Sequence, residues 1–106
     1  MSKVISVPKD KEAESALDYN NAKPEQLVEL TLTNEEFDML WEEGIFSLIN
    51  RISSSNIDDF EDEHITELDV ISLVLKELKM CSVHSKNIVK MFELALEYRT
   101  SIHFYF

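Results

Sequence analysis

Asp58, Asp59, Glu61, Asp62 and Glu63 place five carboxylates within six consecutive positions, with Phe60 among them and His64 directly after. Carboxylates this dense can hold a hard cation, act as a general acid and base, or stand as fixed negative charge. A calcium loop needs oxygen ligands at its first, third, fifth and twelfth positions and glycine at its sixth. Starting at Asp58 puts Phe60 third; starting at Asp59 gives Asp59, Glu61 and Glu63 but His64 where glycine belongs and Val70 at the twelfth. Both registers fail. Glu63, His64 and Glu67 would meet on a helix face, but three such residues arise readily in an acidic stretch, so no metal is assigned. Cys81 and His84 have Cys-x-x-His spacing without the second pair that zinc needs. A Cys–His nucleophile pair needs an orienting third group, and no two carboxylates are singled out as facing a cleft. One glycine in the chain leaves no phosphate-cradling loop. No catalytic residue, no cofactor and no metal is therefore expected, and fixed negative charge is the chemistry that remains.

The charge is unevenly spread. The chain has 106 residues and a formal net charge of −11. Residues 34–69 carry twelve carboxylates against Arg51, while residues 1–33 are net −2 and residues 70–106 net +2. A field of that sign repels nucleic acid and anionic membrane and attracts cationic proteins. Glu35, Glu42 and Glu43 widen the field around the 58–63 run, and Phe60 is either a core anchor for the run or a central interface residue with a charged rim. No basic patch with interleaved aromatics points to RNA or DNA binding. One cysteine excludes an internal disulfide and suits a reducing compartment. No apolar run approaches the ~20 residues of a membrane span, and the N-terminus lacks a signal-peptide pattern. A cytoplasmic location is expected.

The elements follow from periodicity. Val28, Leu30 and Leu32 alternate with Glu29 and Thr31 over residues 26–33, which predicts a half-buried strand. Thr33 and Glu36 form a capping box. Phe37, Leu40, Trp41, Ile45, Leu48, Ile49 and Ile52 then make one helical stripe, with Trp41 in the core. Gly44 either permits a close approach or divides the stripe into helices 34–43 and 45–53. Phe60, His64, Leu68, Ile71, Leu75 and Leu78 keep a helical period, so the acidic run is expected as a short turn or helix before a firm helix over about 66–80. Ser85 caps a helix from Lys86 to Arg99. Ile102, Phe104 and Phe106 alternate with His103 and Tyr105, which predicts a strand at the end of the chain. The histidines are expected at the surface or rim. Residues 1–25 form an N-terminal arm, either flexible or a short strand and helix, before one globular domain over 26–106. The two strands are expected to pair with each other, with residues 3–7 as a possible third. The predicted fold is a small two-layer α+β domain: three to four helices on a two- or three-stranded, mainly antiparallel sheet. An exposed strand edge allows either a monomer or a homodimer.

The segments Gly44-Ile45-Phe46-Ser47-Leu48-Ile49-Asn50 and Ile57 through Ile65 resemble stretches in small immunity proteins of bacterial polymorphic toxins, including those of contact-dependent growth-inhibition systems. The resemblance implies an antitoxin that binds a basic partner, a cognate toxin of nuclease type, and occludes its active site or substrate surface. Asp58, Asp59, Glu61, Asp62 and Glu63 would then pair with the toxin's lysines and arginines. Two alternatives use the same charge: a nucleic-acid mimic that inhibits a defence or restriction enzyme, and a dimeric adaptor or chaperone whose acidic face solubilises. A mimic needs carboxylates spread along a face, and the charge at 35–43 supplies that spread.

Overall fold

A computed structural model describes residues 3–58, 62–80 and 85–106. Four strands, β1 (Lys3–Pro8), β2 (Leu27–Leu32), β3 (Asp62–Ile65) and β4 (Ile102–Tyr105), form one antiparallel sheet in the order β2-β1-β4-β3. Five helices accompany it: α1 (Lys11–Asp18), α2 (Asn34–Glu42), α3 (Ile45–Ser53), α4 (Leu68–Leu78) and α5 (Lys86–Tyr98). The protein is an α+β domain, with one more strand than expected.

Side-chain alternation explains the layers. Ile5 and Val7 of β1, Leu32 of β2, Ile65 of β3, and Ile102, Phe104 and Phe106 at the C-terminus are all buried. The registers Ile5↔Leu30, Ile5↔Phe104 and Ile65↔Ile102 put these residues on one sheet face. They join Phe46 and Ile49 of α3, Ile71, Val74 and Leu78 of α4, and Ile88 and Phe92 of α5 in a single core. Burying a side chain of this size contributes about 1.5–3 kcal/mol, which outweighs any local propensity.

The predicted strands are present, but β2 and β4 do not pair with each other. β1 lies between them, because its Ile5 and Val7 bury more apolar surface at the centre of the sheet than an edge would allow. The first 25 residues thus supply an inner strand and a helix, and a boundary at 25/26 runs through one sheet. Asp10 caps α1 by accepting a hydrogen bond from the Ala13 N–H at 2.7 Å.

The capping box at the start of α2 is formed. Thr33 Oγ1 accepts from the Glu36 N–H at 3.1 Å, and Glu36 Oε1 accepts from the Thr33 N–H at 2.9 Å. Gly44 divides the long stripe into two helices. Its φ is 79°, in the left-handed region where a Cβ crowds the following carbonyl. A Cβ added there would meet nothing within 4 Å, so the cost of a side chain is backbone strain alone. Gly44→Ala is expected to destabilise the fold by about 1–2 kcal/mol, read as a lower urea midpoint with an unchanged slope.

The acidic run departs from its helical period. Residues 62–65 form β3 instead, and His64 stands on a strand beside His103. Two clamps precede it. Asn50 Nδ2 donates to the Ile57 carbonyl at 3.0 Å while Asn50 Oδ1 accepts from the Ile57 N–H at 2.7 Å. Glu63 Oε2 accepts from the Asn56 N–H at 2.9 Å. The following helix begins at Leu68, two residues later than expected, because Thr66 and Glu67 connect it to the strand.

Candidate acidic docking surface

The strand registers gather the chain's negative charge. Lys3 pairs with Leu32, Val4 with Tyr105, and Tyr105 with Asp62. The start of β1, the end of β2, the end of β4 and the start of β3 therefore share one end of the sheet. α2 leaves β2 at that end, and its Phe37 packs edge-on against Phe106 with ring centroids 5.1 Å apart. The Lys3 ammonium lies 4.5 Å from the centroid of the Phe37 ring. The acidic helix segment 35–43 and Asp62, about twenty residues further along the chain, thus arrive at the same end of the molecule.

Of the expected docking residues, Glu35, Glu42, Glu43, Asp58 and Asp62 are exposed. Glu63 is half-buried and already engaged, since its Oε1 also accepts from the His64 N–H at 3.0 Å. It serves the loop more than an outward surface. Asp59, Phe60 and Glu61 lie outside the described residues, as do Cys81 and His84. Among the described residues, no three His, Cys, Asp or Glu side chains are grouped to hold a metal ion. No helix among them is long and apolar enough to cross a membrane.

Among the helices, α2 carries the densest charge. Glu35, Glu36, Asp38, Glu42 and Glu43 span about 12 Å of helix axis at 1.5 Å per residue. Duplex DNA carries one charge per ~3.4 Å of each strand, so this helix presents at least the density of a phosphate strand. Glu35 and Asp38, three apart, and Asp38 and Glu42, four apart, are like-charge neighbours that cost about 0.2–0.5 kcal/mol each. Glu42 and Glu43 sit at the negative end of the helix dipole, which disfavours them further. The capping box and the positive end of the dipole account for Glu35 and Glu36, but local stability does not account for Asp38 and Glu42.

Trp41 is the correction to the predicted core. It is 40% exposed, with Met39 beside it at 41%. Its ring rests on Phe37 and Phe46, at 6.1 and 5.9 Å between centroids. Phe46, fully buried, has taken the core position. Trp41 is left as a half-exposed aromatic among carboxylates, a composition that interface centres favour.

The second sheet face extends this surface. Thr31, Val4, Tyr105 and Asp62 form one row across all four strands, and Glu29, Ser6, His103 and His64 form the next. Asp18 and Glu14 of α1 act on the His103 ring, so α1 lies along this face and leaves Ser6 and His103 buried. His103 is 5% exposed, contrary to the expected surface position. Its Nε2 lies 2.8 Å from Ser101 Oγ, and its ring stacks between His64 at 5.6 Å and Tyr105 at 6.3 Å. Burial, then the neighbouring His64, lowers its pKa from 6.5 to about 4, against the opposing pull of Asp18 and Glu14. The folded chain therefore refuses a proton that the unfolded chain accepts below pH 6.5. Stability is lost as pH falls from about 6.5 toward 4, by at most about 3 kcal/mol from this group. His103→Gln, which can keep the bond to Ser101, is expected to flatten that loss between pH 7 and 5 when urea midpoints are compared.

Tyr105, Asp18 and Glu29 were not singled out by the sequence. Burial, then Asp62, Asp18 and Glu29 in that order, raise the Tyr105 pKa. Those carboxylates come from three elements far apart in the chain, and only the sheet register brings them together. The alternation of His103 and Tyr105 marks a polar sheet face but not its neighbours.

No family model matches the chain, and no curated protein matches it. Its structure is similar to that of Neisseria DNA mimic protein DMP12, with a TM-score of 0.67 over 99% of this chain and 98% of that chain. The two sequences are 20% identical. At that identity the likeness establishes the fold: this chain folds as DMP12 does.

Proposed function

We propose that this protein is a DNA mimic, an acidic inhibitor that occupies the DNA-binding surface of a basic protein. The observation that carries the reading is the meeting of α2 and Asp62 at one end of the sheet, with Asp18 acting on Tyr105 there. Carboxylates there match phosphate density along a helix, and they are retained against local repulsion. The shared fold with a protein described as a DNA mimic supports the same reading. Lysines and arginines that would face phosphates face these carboxylates instead. The long-range field accelerates encounter and rejects acidic partners.

The test is displacement. DNA-cellulose carrying the DNA-binding proteins of the source cell is challenged with the purified chain. Release of a defined basic protein at micromolar concentrations is expected, and release of none would contradict the proposal. The polymorphic-toxin reading is the special case in which that protein is a cognate nuclease. Co-expression with the toxin domain, and survival of the cell, tests it.

A further inference from the structure

Beyond the acidic helix, the sheet face around Tyr105 has the composition of a receptor for arginine. The row Thr31–Val4–Tyr105–Asp62 runs across all four strands, about 14 Å from end to end at ~4.8 Å per strand. Val4 and Tyr105 are half-buried, so the floor of the row is apolar and aromatic but reaches solvent. Asp62 stands opposite Tyr105 on β3, Glu29 lies one row away and two strands over on β2, and Asp18 is at the end of α1, which lies along this face. All three are exposed. None of the three has an ion-pair partner among the described residues, although Glu29 Oε2 accepts a long hydrogen bond of 3.4 Å from Ser6 Oγ. After burial, these three carboxylates raise the Tyr105 pKa.

We propose that this face, centred on Tyr105, is where the basic partner docks, with an arginine of the partner laid over the Tyr105 ring against the Asp62 carboxylate, and with Asp18 and Glu29 adding to the negative field around it. The inference rests on the DNA-mimic reading for the basic character of the partner. Charge complementarity selects a cation, and the flat ring selects among cations. A guanidinium stacks on an aromatic face while its planar fork donates to carboxylates at its edge; a lysine ammonium is a hydrated point charge that cannot do both equally well. The neighbouring α2 face also carries an exposed ring, Trp41, so the residues that respond, and not the arginine preference alone, tell the two surfaces apart.

The test titrates the ¹⁵N-labelled full chain with nona-arginine and, separately, with nona-lysine at low ionic strength. Saturable amide shifts at Val4, Thr31, Asp62 and Tyr105 are expected, with nona-arginine binding roughly fivefold tighter or more. Tyr105→Phe should keep that preference and Tyr105→Leu should lose it. The triple variant Asp18→Asn/Glu29→Gln/Asp62→Asn changes only exposed side chains. It should weaken both peptides and remove the sheet-face shifts even if Tyr105→Leu fails to fold. Shifts confined to α2 and residues 54–58 would overturn this docking face while leaving the mimic reading intact. An arginine preference that survives Tyr105→Leu would overturn the role of the ring. No saturable binding of either peptide would remove the basic-partner reading and this inference together.

Discussion

Phe46→Ala is expected to cost about 3–5 kcal/mol of stability, read by urea denaturation followed through Trp41 fluorescence. Phe46 is fully buried at the start of α3. Its ring lies 5.2 Å from Phe37, 5.9 Å from Trp41 and 5.3 Å from Phe106 between centroids. It is therefore the joint between the two short helices that flank Gly44 and the end of β4. Truncation removes the transfer free energy of the ring and leaves a cavity bounded by Phe37 and Trp41 of α2 and by Phe106 after β4, which cannot all collapse into it. Domains of this size have only about 5–15 kcal/mol to lose, so the variant should lie near its unfolding threshold. A loss below about 1 kcal/mol would mean that the aromatic cluster is not what holds α2 to the sheet.

The second large effect falls on binding. Glu35→Gln, Asp38→Asn, Glu42→Gln and Asp62→Asn together remove four charges from the acidic end while keeping the size of each side chain. Affinity for the displaced DNA-binding protein is expected to fall roughly 100-fold or more at low salt, mostly through slower association. Stability should hold or rise slightly, because the Asp38–Glu42 repulsion, worth about 0.2–0.5 kcal/mol, is relieved. Surface-plasmon rates for both proteins at two salt concentrations separate these terms. Unchanged affinity would place the interface elsewhere. Glu63 is left out of the set because its two oxygens hold the backbone of Asn56 and His64.

How much of this was legible depends on where the signal is local. The period of two in 27–32, the Thr33–Glu36 box and the helical stripes of α4 and α5 are local, and the structure has them. Gly44 left two options, and its positive φ resolves them in favour of two helices. β3 was hidden because Asp62, Glu63 and His64 are poor strand formers whose conformation is imposed by pairing with β4. The same spacing that put His64 in phase with Leu68 on a helix is interrupted by a strand and a connection. Trp41 and Phe46 lie on adjacent sides of one apolar stripe, and only packing against Phe106 shows which is inside. For the candidate surface, the charge count located the acidic third of the chain. It did not show that α2 and Asp62 meet at one end of the sheet, nor that Asp18 and Glu29 act on Tyr105. Those neighbours are fixed by strand order and register, which a single sequence does not spell out.

The central claim is that partner binding and DNA binding exclude each other. A fluorescently labelled duplex is first saturated with the DNA-binding protein released from DNA-cellulose, and the chain is then added while anisotropy is followed. The account requires anisotropy to return to the value of free duplex as a one-to-one complex of the two proteins forms. A rise in anisotropy, meaning a ternary complex of duplex, partner and this chain, would contradict it.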